Sequence, residues 1–257
     1  LIYRVLAQLT GVFPQWGGLT GVRPVELFRS LLEQGMGEDK AKEYFQSHYL
    51  VSPQKAALAS IIAENQRTIL SHNRKKTYSL YLSMPFCPSR CHYCSFVSHN
   101  IEKTKKLVPD YLRLMKEEIR AAGRQAKGLG LQLTSIYFGG GTPTSVSAQE
   151  LKGILDTVAE SFPVQEALEY TVEAGRPDTI DREKLQVLKD AGVTRISINP
   201  QTLQDRVLQG IGRNHTAAQA VEAFHLAREM GFQDINMDLI AGLPGDDLPG
   251  FCDTLDR

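Results

Sequence analysis

Strand and helix patterns alternate along the second part of this chain, and that alternation restricts its fold more than any other feature. Five apolar strand patterns each precede a segment with helical periodicity. The predicted strands cover residues 78–82, 135–138, 169–172, 195–198 and 235–240. Parallel strands need a crossover connection, usually a helix, so repeated strand–helix units build a parallel sheet. We therefore predict an α/β fold, a partial (β/α) barrel with five units of a six-unit barrel.

Helix-start signals support this division of the chain. The helix after the first strand is predicted to begin near Asp110. Ser147 with Glu150, and Thr216 with Gln219, have the spacing of capping boxes ahead of the second and fourth helices. The last predicted helix has barely begun at residue 257. We expect the barrel to occupy residues 78–257 and to be truncated at its C-terminal side.

The first part of the chain has a different pattern. Helices are predicted over residues 23–35, 38–49 and 53–70, the last with Ser52 as its cap and Pro53 in its first turn. Residues 13–24 form a predicted loop around the single tryptophan. Residues 1–77 are therefore expected to form a mostly helical N-terminal region.

Three closely spaced cysteines follow the first predicted strand. Cys87, Cys91 and Cys94 have the spacing Cys-x3-Cys-x2-Cys, whereas Cys252 is far along the chain. Each of three thiolates can bind one iron of a cubane cluster, which leaves the fourth iron free to bind a small molecule. The spacing predicts a 4Fe-4S site and is typical of radical S-adenosylmethionine (SAM) enzymes, a superfamily that the chain resembles from residue 78 to about 251.

Three other interpretations of the cysteines fit the sequence less well than a cluster does. A structural zinc would require His92 as a fourth ligand beside Cys91, without the usual paired Cys-x2-Cys knuckles. Covalent haem would require a motif one residue shorter and an exported protein. Buried unreactive cysteines fit poorly with Arg90 and His92 between them.

Polar and glycine residues cluster at one end of the predicted sheet. The cysteine loop, the glycine triplet 139–141, Glu173, Asn199 with Gln201, and Asp238 all lie at or just beyond the C-terminal ends of successive strands. In barrels of this kind that end carries the active site. Structural polar residues would not be expected to favour one end in all five units.

Each of these residues also has a structural alternative. The glycine triplet predicts bare backbone that approaches a bound amino group, or simply a tight turn. Glu173 is predicted to accept hydrogen bonds from ribose hydroxyls, or else to pair with Arg176. Asp238 falls in an apolar predicted strand, where an unpaired carboxylate is costly, so it needs a ligand or Arg213.

Composition narrows the class of protein. The chain has 257 residues, 42% hydrophobic and 23% charged, with 29 basic and 29 acidic residues. A net charge of zero gives no nucleic-acid-binding footprint, and no apolar run approaches the roughly 20 residues of a membrane span. Few, clustered cysteines and no signal segment favour a reducing, cytoplasmic location. The chain opens on leucine, so we interpret it as a fragment.

Five sequence blocks narrow the resemblance further. They are residues 81–87 (YLSMPFC), 137–144 (YFGGGTPT), 171–174 (TVEA), 195–201 (RISINPQ) and 237–245 (MDLIAGLPG). Together they resemble the oxygen-independent coproporphyrinogen III oxidase family of radical SAM enzymes. The segments 195–202 and 211–213 are most like its HemZ-type branch.

The resemblance implies the cofactors, the site and the reaction. The cofactors would be a 4Fe-4S cluster on the three cysteines and SAM, cleaved to a 5′-deoxyadenosyl radical that oxidises propionates of coproporphyrinogen III to vinyl groups. Partners would be a tetrapyrrole substrate and a flavodoxin- or ferredoxin-like electron donor. The implied SAM contacts are Tyr81, Tyr93, Gly140, Gly141, Thr142, Glu173, Gln201, Arg213 and Asp238, with Tyr93 near the adenine.

Two positions depart from the oxidase pattern. Oxidases of this family tend to have a histidine four residues before the first cysteine, where this chain has Ser83. They also tend to have a fourth cysteine two residues after the third, where this chain has Phe96. The Cys94-Ser95-Phe96 form resembles that of the related haem chaperones, and radical methyltransferases that act on haem share the glycine block. Both relatives remain alternative functions to the oxidase.

Overall fold

The protein is described from a computed structural model, which describes residues 2–19 and 23–257. The chain divides into two compact units, Leu1–Arg74 and Lys75–Arg257. Within the described ranges, every helix is too short or too polar to cross a lipid bilayer.

The first unit is a small helical assembly. Its helices are α1 (Ile2–Thr10), α2 (Pro24–Glu33), α3 (Glu38–His48) and α4 (Pro53–Leu70). The three predicted helices are confirmed, and the Ser52 hydroxyl caps α4 by accepting from the Lys55 amide at 3.3 Å. Helix α1 was missed, because it has no capping residue to mark its start. Residues 20–22 of the predicted loop 13–24 lie outside the described residues.

The second unit contains a five-stranded parallel sheet, as predicted. In chain order its strands and one small extra pair are β1 (Thr77–Met84), β2 (Phe86–Cys87), β3 (His99–Asn100), β4 (Gln132–Gly140), β5 (Glu169–Glu173), β6 (Arg195–Ser197) and β7 (Asp234–Asn236). The sheet order β1-β4-β5-β6-β7 follows the chain, with β2 and β3 paired separately. Its helices are α5 (Val108–Gly128), α6 (Ala148–Ser161), α7 (Arg182–Asp190), α8 (Asp205–Gly210), α9 (Ala217–Glu229) and α10 (Leu248–Asp256).

The core of this unit lies between the sheet and its helices. Alternate residues of β1 and β4, such as Leu82, Met84, Ile136 and Phe138, are buried in it. The residues between them, such as Tyr81, are exposed on the opposite face. Both predicted capping boxes, at the starts of α6 and α9, are confirmed. This alternation leaves the other face of the sheet available for polar side chains.

The fifth predicted strand is longer than the strand in the structure. The fifth strand was predicted to reach residue 240, but β7 ends at Asn236, and only an isolated bridge joins Gln201 to Leu239 beyond it. The reason is that β7 is an edge strand whose neighbour β6 already ends at Ser197. Asp238 is therefore exposed, and the argument that burial demands a partner for it was wrong. Helix α8 and the β2–β3 pair were too short to predict.

Candidate functional site

A cavity of about 380 Å³ lies at the C-terminal ends of the strands of the second unit. Eleven of the twelve predicted site residues line it: Cys87, Cys91, Tyr93, Cys94, Gly140, Gly141, Thr142, Glu173, Gln201, Arg213 and Asp238. The twelfth, Tyr81, lies beside a different cavity, with its ring stacked 5.9 Å from that of Tyr137. The structure therefore brings together residues from all five strand–helix units.

The cysteine loop is held in place by the segment that follows α8. The His92 amide donates to the Ile211 carbonyl at 3.0 Å, and the Ser89 hydroxyl donates to the Gly212 carbonyl at 2.8 Å. Gly212 has φ +78°, and a Cβ there would lie 3.1 Å from a carbonyl of the cysteine loop. His92, considered above as a zinc ligand, has its Nδ1 at 3.0 Å from the Gly210 carbonyl.

Two of the three thiols receive hydrogen bonds from side chains outside the loop. The Thr142 hydroxyl donates to Cys87 Sγ at 3.4 Å, and the Arg176 guanidinium donates to Cys91 Sγ at 3.6 Å. Burial raises the pKa of the Cys87 thiol, and these two neighbours oppose the rise. Within the described part of the chain, no three His, Cys, Asp or Glu residues are grouped to hold one metal ion. Three thiols on one cavity wall, with donors to their sulfurs, fit the ligand set of an iron–sulfur cluster.

Packing against the neighbouring backbone requires small residues at the glycine triplet. A Cβ at Gly140 would lie 2.7 Å from Ser83 Oγ, and one at Gly141 would lie 2.7 Å from the Phe86 carbonyl oxygen. The Gly141 amide donates to the Met84 carbonyl at 2.6 Å. The end of β4 thus lies directly against the start of the cysteine loop, which the tight-turn alternative does not describe.

Two carboxylates line the cavity, and each accepts a hydrogen bond from a neutral side chain. The Tyr137 hydroxyl donates to Glu173 Oε1, and Asn236 Nδ2 donates to Asp238 Oδ1 at 2.7 Å. Burial raises the pKa of Glu173, the Tyr137 hydrogen bond lowers it, and Asp238 raises it further. Burial is the main cause that raises the pKa of Tyr137, and Glu173 raises it further.

The ion pairs proposed as alternatives for these carboxylates are wrong. Arg176 pairs with Asp178, with Nε at 3.1 Å from Oδ1, and not with Glu173. Arg213 donates to the Tyr93 hydroxyl from Nε at 3.3 Å and Nη2 at 3.0 Å, and its Nη1 bonds two backbone carbonyls. Burial raises the pKa of Tyr93 to about 12, so its phenol stays neutral.

Gln201 has an unusual backbone conformation. Its φ is +66°, in the left-handed region that non-glycine residues rarely occupy, and the residue is buried. Its amide donates to the Asp238 carbonyl at 3.0 Å, and the Ile240 amide donates to its carbonyl at 3.0 Å. These two bonds hold the segment containing Asp238 against the cavity. Strain of this kind is concentrated at functional sites.

Sequence reasoning missed two residues of the site. Tyr137 contacts Glu173, and its position two residues before the glycine triplet, on the same strand face as Gly139, was the signal available. Arg176 contacts Cys91 from the loop after β5, and no spacing rule connects residues so far apart in the chain. Each of the two donates a hydrogen bond to a predicted site residue.

The fold and the site define a barrel enzyme with a three-cysteine cluster loop, and comparison with known proteins gives the family. Residues 81–257 match the Radical SAM superfamily, and the chain belongs to it. Members of this superfamily use a 4Fe-4S cluster and SAM. The predicted cofactors are therefore confirmed at the level of the family.

Individual relatives place the chain near haem-related members. It is 40% identical to the oxygen-independent coproporphyrinogen-III oxidase-like protein HemZ of Bacillus subtilis, over 99% of this chain and 52% of that protein. It is 40% identical to the heme chaperone HemW of the same organism, over 66% of this chain and 44% of HemW. The chain thus spans about half the length of the curated relatives it matches.

A solved structure supports the fold. The coproporphyrinogen III oxidase HemN of Escherichia coli matches with a TM-score of 0.61 and 27% identity. The match covers 76% of this chain and 44% of HemN. The predicted α/β partial barrel is confirmed by this similarity and by the parallel sheet.

Proposed function

We propose that this chain is the SAM-cleaving barrel of an enzyme that oxidatively decarboxylates the propionate side chains of coproporphyrinogen III. The extent of similarity carries this proposal. HemZ, named as oxidase-like, matches 99% of the chain, whereas the match to HemW covers 66%. A relative that matches almost the whole chain is a better guide to function than one that matches two thirds of it.

Cys87, Cys91 and Cys94 would hold the cluster, with the fourth iron open to SAM. The chemistry that a reduced cluster would supply there is one electron for cleavage of SAM to methionine and a 5′-deoxyadenosyl radical. The loop's own hydrogen bonds to residues 210–212 keep the three sulfurs in place.

The chain's remaining site residues would bind and orient SAM. The backbone at Gly140 and Gly141 has no side chain to keep a ligand away and offers carbonyl acceptors. Glu173 and Asp238 would accept hydrogen bonds from hydroxyl or amino groups, because neutral donors occupy only part of their capacity. Tyr81, Tyr93, Thr142, Gln201 and Arg213 would complete the contacts.

The substrate propionate would lose one hydrogen atom to the radical, then carbon dioxide and one electron, to leave a vinyl group. An external flavodoxin- or ferredoxin-like protein would supply the electron that cleaves SAM, and a separate acceptor would take the electron that the substrate loses. The barrel's task is to orient the two reactants and to keep water and oxygen from the radical.

A haem-binding role is the second candidate, and Phe96 favours it. Its side chain is 60% exposed, borders the cavity and replaces the fourth cysteine of the oxidase pattern. Ser83 likewise replaces the expected histidine. HemW, named as a heme chaperone, shares 40% identity over 171 residues.

Two measurements on the full-length protein test the two functions: anaerobic incubation with SAM, dithionite and coproporphyrinogen III, and a separate titration with haem. An oxidase should form 5′-deoxyadenosine faster when porphyrinogen is added, with carbon dioxide and vinyl products detected by mass spectrometry. A chaperone should bind haem stoichiometrically, with a Soret band, and cleave SAM slowly whether or not porphyrinogen is present. The second pattern would overturn the oxidase proposal.

A further inference from the structure

Arg176 is a buried cation beside the cysteine loop to which the proposed function assigns no role. Its side chain is 3% exposed. A buried guanidinium is destabilising unless it is paired and hydrogen-bonded, so its partners indicate what it does. Its Nε and Nη2 donate to the two oxygens of Asp178 at 3.1 and 3.3 Å. This two-point ion pair fixes the guanidinium plane.

The rest of the guanidinium faces the cysteine loop. Nη2 donates to Ser89 Oγ at 3.0 Å, and Nη1 donates to the Ser89 carbonyl at 3.4 Å. Nη1 also donates to Cys91 Sγ at 3.6 Å. Ser89 in turn donates to the Gly212 carbonyl at 2.8 Å. Arg176 therefore connects the end of β5 to the middle of the cysteine loop.

The thiol that Arg176 contacts differs from the others. Cys91 is buried, while Cys87 and Cys94 are intermediate in exposure. The donor to Cys87 is the neutral hydroxyl of Thr142, whereas the donor to Cys91 is a full positive charge. Hydrogen bonds from ionised donors are about twice as strong as neutral ones. Of the two thiols that accept a side-chain hydrogen bond, the more buried one therefore has the charged donor.

We propose that Arg176 is a positioning residue that raises the reduction potential of the 4Fe-4S cluster through the Cys91 sulfur. The inference rests on the cluster site of the proposed function. Reduction adds one electron to the cluster and its thiolates, so a nearby cation and N–H donor stabilise the reduced form more than the oxidised form. Asp178 carries the opposite charge and partly offsets this effect.

The test is a redox titration, monitored by electron paramagnetic resonance, of the full chain reconstituted anaerobically. In Arg176→Gln, the reduced-to-oxidised ratio at a fixed potential should fall about tenfold, equivalent to about 59 mV for one electron. In Asp178→Asn, the ratio should rise, because the guanidinium charge loses its counter-ion. Two shifts of opposite sign from two partners of one ion pair cannot arise from shared damage to the fold.

Matched variants keep the inference testable if Arg176→Gln holds the cluster poorly. Arg176→Lys retains the charge and should recover most of the lost ratio, and Thr142→Val, which removes a neutral donor to Cys87, should lower it less than Arg176→Gln does. Iron content and the visible spectrum establish that each variant is loaded. Unchanged potentials, or shifts of the same sign for Arg176→Gln and Asp178→Asn, would overturn the role of Arg176 but would leave the proposed cluster site standing. A parent chain that takes up no cluster would overturn the cluster site, and this inference with it.

Discussion

Two groups of residues that line the cavity differ in the charge of their hydrogen-bond donors. The sulfur wall, formed by Cys87, Cys91 and Cys94, has a buried arginine donating to one of its thiols. The acid wall, formed by Glu173 and Asp238, has only the neutral donors Tyr137 and Asn236 on its carboxylate oxygens. In the described residues neither carboxylate has an ion-pair partner.

This difference indicates which charge each wall leaves for a ligand to neutralise. A cation beside thiolates compensates negative charge that the protein itself supplies. Uncompensated carboxylates leave negative charge for a ligand with positive or hydroxyl groups to neutralise. The burial that raises the pKa of Glu173 is consistent with a group whose best partner is not in the protein chain.

The largest effect should come from the sulfur wall itself. Changing Cys87, Cys91 or Cys94 to alanine should abolish the broad visible absorption of the reconstituted cluster, because each thiolate binds a different iron. Iron content and absorption of the purified variants measure this. Cys252→Ala is the control, since Cys252 is exposed and lies outside the cavity lining, and it should keep both signals. Stoichiometric zinc without iron after anaerobic reconstitution would contradict the cluster.

The buried His215, which lies near Arg213 and Arg176, should make the free energy of unfolding depend on pH. The ring is 3% exposed and neither nitrogen has a hydrogen-bond partner in the described structure. Burial is the main cause that lowers its pKa to about 4 from 6.5; Arg213 and Arg176 lower it as well, while Asp178 and the nearby Pro200 backbone oppose the shift. The unfolded chain therefore binds a proton at higher pH than the folded one, so stability is full above pH 6.5 and falls as pH drops toward 4.

The loss should reach at most about 3 kcal/mol. Urea denaturation followed by circular dichroism across this pH range measures it. His215→Asn should remove about one proton from the pH dependence of unfolding, whatever it does to stability at neutral pH. The exposed His225, changed to Asn, should leave the slope as it is. An unchanged slope in His215→Asn would mean that the ring titrates normally in the fold.

Sequence predicted the sheet and most of the site for a physical reason. Strand periodicity and caps are local, so all five strands and both capping boxes could be placed. Strand ends then brought Glu173, Gln201 and the cysteine loop to one rim. What sequence could not give is the pairing of side chains across that rim. Arg176 and Cys91 are 85 positions apart. The wrong ion pair for Glu173 came from choosing a cation close by in the chain, and the wrong pair for Asp238 came from choosing a cation whose loop leaves the same rim of the sheet.

On the acid wall, Glu173→Gln should weaken SAM binding while leaving the cluster spectrum unchanged. Losing hydrogen bonds to a charged acceptor reduces affinity by roughly 10- to 100-fold. The SAM dissociation constant of the cluster-loaded protein is the measurement. Glu169 is the matched control, because it lies on the same strand and face but bonds Thr171 and pairs with Arg195 instead of lining the cavity. If Glu169→Gln weakens SAM binding equally, the carboxylate at 173 is not a specific contact.

The smallest effect should come from removing the neutral donor of the acid wall. Tyr137→Phe takes one hydrogen bond from Glu173 and should weaken SAM binding by about fivefold, the equivalent of about 1 kcal/mol. That hydrogen bond lowers the pKa of Glu173, so the variant's carboxyl should take up a proton at higher pH than the parent's. SAM affinity measured against pH should accordingly begin to fall at higher pH in Tyr137→Phe. Tyr170→Phe is the control, because its hydroxyl is buried in the core without a partner among the described residues and should leave the profile unmoved. If SAM affinity depends on pH in the same way in Tyr137→Phe as in the parent, the Tyr137 hydrogen bond does not set the protonation of Glu173. The neutral donor would then contribute nothing to the difference between the acid wall and the sulfur wall.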